Sequence, residues 1–149
     1  MSAPVTPAQV RAAAARNRQI GGKVAKQVMK LVLDQPEKWM NENEMRKLHW
    51  SKRSYLAGYW RQLAKVKASN EWKRKPPLER VHVVVTFFWP DARRRDPNNW
   101  SLTSKALVDG ITDAGLVVDD DSKHVIGPDH RAGRGPRRIE IEVYELPAL

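Results

Sequence analysis

The stretch that decides the reading of this chain is Arg93–Val125, RRRDPNNWSLTSKALVDGITDAGLVVDDDSKHV. It opens on Arg93, Arg94 and Arg95 followed by Asp96-Pro97, and it closes on Asp119, Asp120 and Asp121. Asp96 is a good helix N-cap and Pro97 suits the first helical position, where its missing N–H costs nothing. The pattern predicts a helix from there to about Ala114, with Gly115 as its C-terminal cap. At 100° per residue Trp100, Leu107, Ile111 and Ala114 share the buried side, and Asn98, Leu102, Lys105 and Asp109 the opposite one. Cations that hold phosphates and carboxylates that hold a hard divalent metal therefore lie close together in sequence. A helix of that length spans about 27 Å. The acidic groups at its two ends can share one metal only if the chain folds back after Gly115 or a second chain supplies one end.

Working outward, Arg80–Trp89 (RVHVVVTFFW) is the clearest strand, apolar enough to be buried on both faces. A histidine in such a strand, here His82, reads as structural. Downstream, Lys123–Ile126 reads as a short strand and Gly127–Pro136 as a Gly/Pro/Arg loop. Arg137–Tyr144 alternates polar and apolar residues, as a strand with one wet face does, and it suits a sheet edge. Upstream, Ser51 is the expected cap of a helix to about Ser69. Its inner face is expected to carry Tyr55, Leu56, Tyr59, Leu63 and Val66, and its outer face Lys52, Arg53, Arg61, Lys65 and Lys67. Asn70–Pro77 reads as a basic turn and residues 34–50 as a loop. Val28–Leu33 suits a strand or the end of a helix beginning near Lys23. Residues 1–24 read as a flexible basic arm, leaving 25–149 as one folded unit.

Composition narrows the chemistry. A chain of 149 residues with a net charge of +10 suits one domain and a polyanionic partner. It has no cysteine, which excludes disulfides, thiolate zinc sites and a cysteine nucleophile. A cytoplasmic setting is compatible with that composition. No apolar run approaches the roughly 20 residues of a membrane span, so no membrane association is expected. No P-loop or dinucleotide glycine pattern, metalloprotease histidine pair or Gly-x-Ser-x-Gly elbow is present, and no small organic cofactor is expected. Each acidic piece also has a structural explanation: Asp96 as a cap, Lys105 and Asp109 as an i,i+4 ion pair, the aspartate run as a solvated turn.

Taken together, Arg94-Arg95-Asp96-Pro97-Asn98-Asn99, Lys105-Ala106-Leu107-Val108-Asp109-Gly110, Asp113-Ala114-Gly115-Leu116 and Asp119-Asp120 resemble the RusA family of Holliday-junction resolvases, in the forms found in phages, prophages and actinobacteria. Asn43 and Leu48-His49-Trp50 with the basic residues after them resemble that family's N-terminal half. The likeness covers about residues 28–146.

The resemblance implies a small homodimeric α+β fold, a mixed sheet packed against two main helices. It implies an endonuclease of recombination and repair that nicks four-way DNA junctions in symmetric pairs with Mg²⁺ or Mn²⁺. Asp96, Lys105 and Asp120 take the catalytic positions of the family motif, and Asp96, Asn98, Asp109, Asp119 and Asp120 the metal positions. Asn98 is a departure, because many members carry a second aspartate there. DNA contacts are expected from Lys52, Arg53, Arg93, Arg94, Arg95, Arg131 and Arg134, and a bacterial cytoplasm is the expected location. The alternative is a catalytically weak junction-binding accessory, for which Asn98 is the motive.

Overall fold

The computed structural model describes residues 25–34 and 38–148. The arm expected over residues 1–24 lies outside the described residues. In chain order the elements are β1 (Lys26–Asp34), a one-turn helix α1 (Glu42–Met45), the long helix α2 (Trp50–Trp72), β2 (Val81–Trp89), a 3₁₀ turn (Pro97–Trp100), α3 (Ser101–Asp113), β3 (Val125–Arg134) and β4 (Arg138–Glu145). The fold is α+β with a mixed four-stranded sheet in the order β1-β4-β2-β3. Strand β4 is antiparallel to both neighbours, and β2 and β3 are parallel.

One sheet face carries Met29, Leu31 and Leu33 from β1, Ile139, Ile141 and Val143 from β4, and Val81, Val83, Val85, Phe87 and Trp89 from β2. All are buried in one cluster with residues of α2 and α3. These positions alternate along each strand, so the period of two builds the core directly. Trp39 caps this layer, with edge-on contacts to Phe87 at 5.3 Å and Trp89 at 5.5 Å between ring centroids. The opposite face is polar and internally paired: Lys30 and Arg138 both reach Glu140 at 3.1 Å, His82 Nε2 meets Asp129 at 2.8 Å, and Tyr144 donates to Glu142.

Strand β2 is interior and buried on both faces, as its apolarity predicts. Two sheet expectations fail. The segment expected as a Gly/Pro/Arg loop over Gly127–Pro136 is mostly strand β3. It sits at the sheet edge, where missing N–H donors are tolerated, and its register slips between His82 and Val84, where Gly127 and Pro128 fall opposite. The Arg137–Tyr144 alternation is genuine, but β4 lies inside the sheet rather than at its edge. On its polar face Glu140 is paired by Lys30 and Arg138, and Glu142 accepts from the Tyr144 hydroxyl.

Helix α2 differs from expectation at both ends and around its girth. It starts at Trp50 and not after Ser51, because the His49 ring supplies the cap: Nδ1 accepts from the Ser51 N–H at 3.2 Å. It runs to Trp72, into the predicted turn, and stops where Lys73 and Arg74 adopt left-handed backbone. Its buried row is Leu56, Trp60, Ala64, Ala68 and Trp72. Tyr55 and Val66, expected inside, are exposed, while Tyr59 and Leu63 are only partly buried. The sequence holds two apolar rows, and the buried one contains the alanines. The reason is the close approach of α3: a Cβ on Gly110 would lie 2.2 Å from the Arg61 carbonyl oxygen and 2.9 Å from Ala64 Cβ. Small residues on both helices make that contact, so side-chain size misleads as a guide to the inner face.

Candidate metal centre

Helix α3 carries the site. Its predicted start and stop hold closely: Asp96 caps the 3₁₀ turn by accepting from the Asn98 N–H at 3.0 Å, and Gly115 takes φ +83° just past the end. The first turn is 3₁₀ rather than α. Leu107 and Ile111 are buried and Lys105 faces solvent, as the two stripes predict.

After Gly115 the chain turns back. The Leu78 N–H donates to Leu116 O at 2.8 Å, and the Val118 N–H donates to Leu78 O at 3.1 Å. This short parallel bridge pins Leu116–Val118, whose Leu116 and Val117 side chains are buried, and aims the aspartates back along α3. As a result the Asp120 carboxyl comes within hydrogen-bonding reach of both Asp119 and Asp109. Its pKa is raised above the ordinary carboxylate value, first by the hydrogen bond to Asp119, then by slight desolvation and the bond to Asp109. Crowded carboxylates favour retaining a proton, and a divalent cation relieves the same repulsion.

Lys105 Nζ stands 3.4 Å from Asp109 and is otherwise exposed. Arg61, from α2, forks onto Asp113 at 2.6 and 2.9 Å and reaches Asp109 at 4.0 Å. The Asp113 bond holds the guanidinium in its charged form and pulls the Asp113 pKa down. Lys105, Asp109 and Asp120 line a groove of about 320 Å³ with Ser101, Pro128 and His130. His130 lies 2.9 Å from the buried Ser104 hydroxyl. Burial lowers its pKa, against the opposing pull of Asp129 and Asp96.

Not every expected ligand joins this group. Asp96 and Asn98 are exposed just before Ser101, where the groove's lining begins, and neither is itself part of that lining. The Asp96 charge is felt there through His130. Asp119 lies next to Asp120 and belongs equally to a second group: oxygen or nitrogen atoms of Asp119, Asp121 and His124 lie within 4.8 Å of one another and could hold a metal. That second group is already bonded. Asp121 accepts from the Lys123 N–H at 3.0 Å, the His124 N–H at 3.2 Å and the His124 ring at 2.6 Å.

No protein-family model matches the chain, and no curated protein matches it either. The site therefore rests on its own geometry.

Of the expected DNA-contacting cations, Lys52, Arg53, Arg93, Arg94 and Arg134 are exposed and Arg131 is half-buried. Arg95 is half-buried and already paired. Its guanidinium grips Asp91 at 2.6 and 3.1 Å and lies over the Trp89 ring at 4.9 Å, so it fixes the loop leaving β2. Arg95 and the Arg93 N–H draw the Asp91 pKa down to about 2. Two site residues were not legible from periodicity. Arg61 reads as one more outer cation, and His130 sits in a segment whose composition reads as loop. For Arg61 the usable signal was Gly110, which marks where α2 and α3 come close enough for an α2 side chain to reach an α3 carboxylate. Among the described residues no helix is long and apolar enough to cross a membrane.

Proposed function

We propose that the chain is a Mg²⁺-dependent endonuclease acting on branched DNA, four-way junctions foremost, and that it works as a homodimer. One observation carries the reading: Asp109 and Asp120 are driven together by the return after Gly115, beside an exposed lysine, on a strongly basic chain. Carboxylate oxygens suit Mg²⁺ or Mn²⁺, and two of them leave room for water and a phosphate oxygen. Asp109 and Asp120 would hold the ion, with Asp119 adjacent. When bound, the ion supplies charge neutralisation and a more acidic water at the scissile phosphate. Lys105 swings on a flexible stem from Asp109 and is suited to stabilise charge developing on the phosphate. Arg61 holds Asp109 from the α2 side. His130 lines the groove beside them, and Asp96, just before α3, lies close enough for its charge to reach that ring. Arg93, Arg94, Lys52 and Arg53 would grip neighbouring phosphates and make binding salt-sensitive.

Two features support the dimer. A four-way junction presents two equivalent strands, which a two-fold enzyme matches. Helix α2 also keeps an apolar row uncovered among the described residues, with Gly58 open between Tyr55, Leu63 and Val66. Val66→Arg should turn a dimer into a monomer in light scattering.

The test is cleavage of a synthetic four-way junction, a linear duplex and a single strand, with and without Mg²⁺ or Mn²⁺. Paired nicks in the junction alone, and only with metal, are expected. Junction binding without cutting in either metal would replace this reading by that of a junction-binding accessory, for which Asn98, an uncharged residue at a metal position of the motif, is the motive. Equal affinity for all three substrates would leave only a general nucleic-acid binder.

A further inference from the structure

Trp50 is 65% exposed, whereas Trp39, Trp60, Trp72 and Trp89 are buried. Leaving an indole in water forgoes a few kcal/mol of burial. This one is ordered at the first position of α2, its ring 5.5 Å from that of His49 and inclined to it by 36°. Arg46, Lys47, Lys52 and Arg53 surround it in sequence, all exposed. None of the four forms an ion pair with a carboxylate among the described residues. An aromatic face set among free cations matches the chemistry of a nucleic-acid base and its flanking phosphates.

Its position matters as much as its exposure. At 100° per residue Trp50, Ala57, Arg61, Ala64 and Ala68 form one row, and Arg61 and Ala64 show that this row faces α3. Trp50 continues it about 16 Å beyond Arg61 toward the start of α2. The preceding segment ties that end to the start of α3: the Met40 N–H donates to Thr103 Oγ1 at 2.7 Å, and the Ser101 hydroxyl donates to Glu42 at 2.7 Å. Trp50 therefore lies toward the N-terminal end of α3, the end where Ser101 lines the groove.

We infer that Trp50, backed by His49, is a stacking platform for an unpaired nucleobase, with Lys52 and Arg53 holding the phosphates beside it. The inference rests on the DNA-binding half of the proposed function and not on its hydrolysis. A paired duplex offers no free base face, so the platform would favour branch points and single strands over intact duplex.

The experiment is DNA binding in EDTA, where cleavage plays no part. The probes are a thymidine 20-mer, a four-way junction and a blunt linear duplex. Trp50 is the most exposed tryptophan described, so intrinsic fluorescence should be quenched by the 20-mer and the junction but little by the duplex. Trp50→Ala should weaken the first two about tenfold or more while leaving duplex binding within about twofold, and Trp50→Phe should recover most of the loss. Lys52→Ala with Arg53→Ala should weaken all three and flatten the salt dependence. Unchanged binding of the 20-mer and junction by Trp50→Ala would overturn the platform alone, as would an equal loss on all three probes with the thermal midpoint preserved. A wild-type protein that binds none of the probes would overturn the platform and the nuclease reading together.

Discussion

Two acidic groups lie side by side after α3, and they differ in what their oxygens already do. In the turn, Asp121 accepts bonds from two backbone N–H groups and the His124 ring, which lowers its pKa. In the groove, Asp120 meets other carboxyl groups, Asp119 and Asp109, and its pKa rises. The turn group brings ligand atoms of Asp119, Asp121 and His124 within 4.8 Å of one another. Yet its acids are stabilised as they stand, as in any well-bonded turn. The groove pair carries repulsion that nothing in its immediate surroundings removes except Lys105 and, from 4.0 Å, Arg61. Under the proposed function, unsatisfied charge and not the proximity of ligand atoms alone would mark the metal site.

The largest expected effect divides these groups directly. Asp120→Asn should lower junction cleavage by roughly a thousandfold or more while leaving junction affinity nearly unchanged, because metal chemistry supplies several kcal/mol to the reaction. Cleavage kinetics beside a gel-shift titration check it, and a variant that still cuts at near the wild-type rate would contradict the role given to Asp120. Gly110→Ala comes next. A methyl there meets the Arg61 carbonyl, so unfolding should become easier by about 3 kcal/mol despite alanine's better helix propensity. Because the same contact sets Asp109 against Arg61, activity measured well below the melting point should also fall, which would sharpen the claim that α2 helps build the groove.

Asp121→Asn tests the turn group. It should lower the thermal midpoint slightly, by weakening the bonds to Lys123 and His124, and leave cleavage within about tenfold of wild type. A loss as deep as that of Asp120→Asn would place the chemistry in the turn. The smallest effect concerns His130. Its folded pKa lies below the ordinary 6.5, so as pH falls the unfolded chain takes up the proton first. Stability should therefore decline from about pH 6.5 toward the lowered folded pKa and then level off for this group. His130→Gln should remove that part of the slope in melting curves recorded across the range; an unchanged slope would mean that His130 is not held neutral in the fold.

What could be read from the chain followed local chemistry. The Asp-Pro start, the Gly115 stop and the apolar run of β2 are set by backbone and solvation preferences within a few residues, and each lies where expected. The return after Gly115 was a condition the site required, and the Leu78 bridge meets it. What escaped depended on partners outside the local helix or strand pattern, most of them distant in sequence. Gly127 and Pro128 look like loop until β2 offers a parallel edge with a register slip to receive them. Tyr55 and Val66 look like core until Gly110 draws α3 onto the alanine row instead. Arg95 looks like a free cation until Asp91 and Trp89 occupy it. The motif names Asp96, Asn98, Asp109, Asp119 and Asp120; the folded chain adds that the Asp109 and Asp120 carboxyls meet.

The most direct test is a Mn²⁺ titration followed by electron paramagnetic resonance on the wild-type protein, Asp120→Asn and Asp121→Asn, without DNA. Wild type and Asp121→Asn should bind the ion with similar affinity, and Asp120→Asn should lose it. Retention by Asp120→Asn together with loss in Asp121→Asn would contradict this expectation and assign the ion to the Asp119–Asp121–His124 turn.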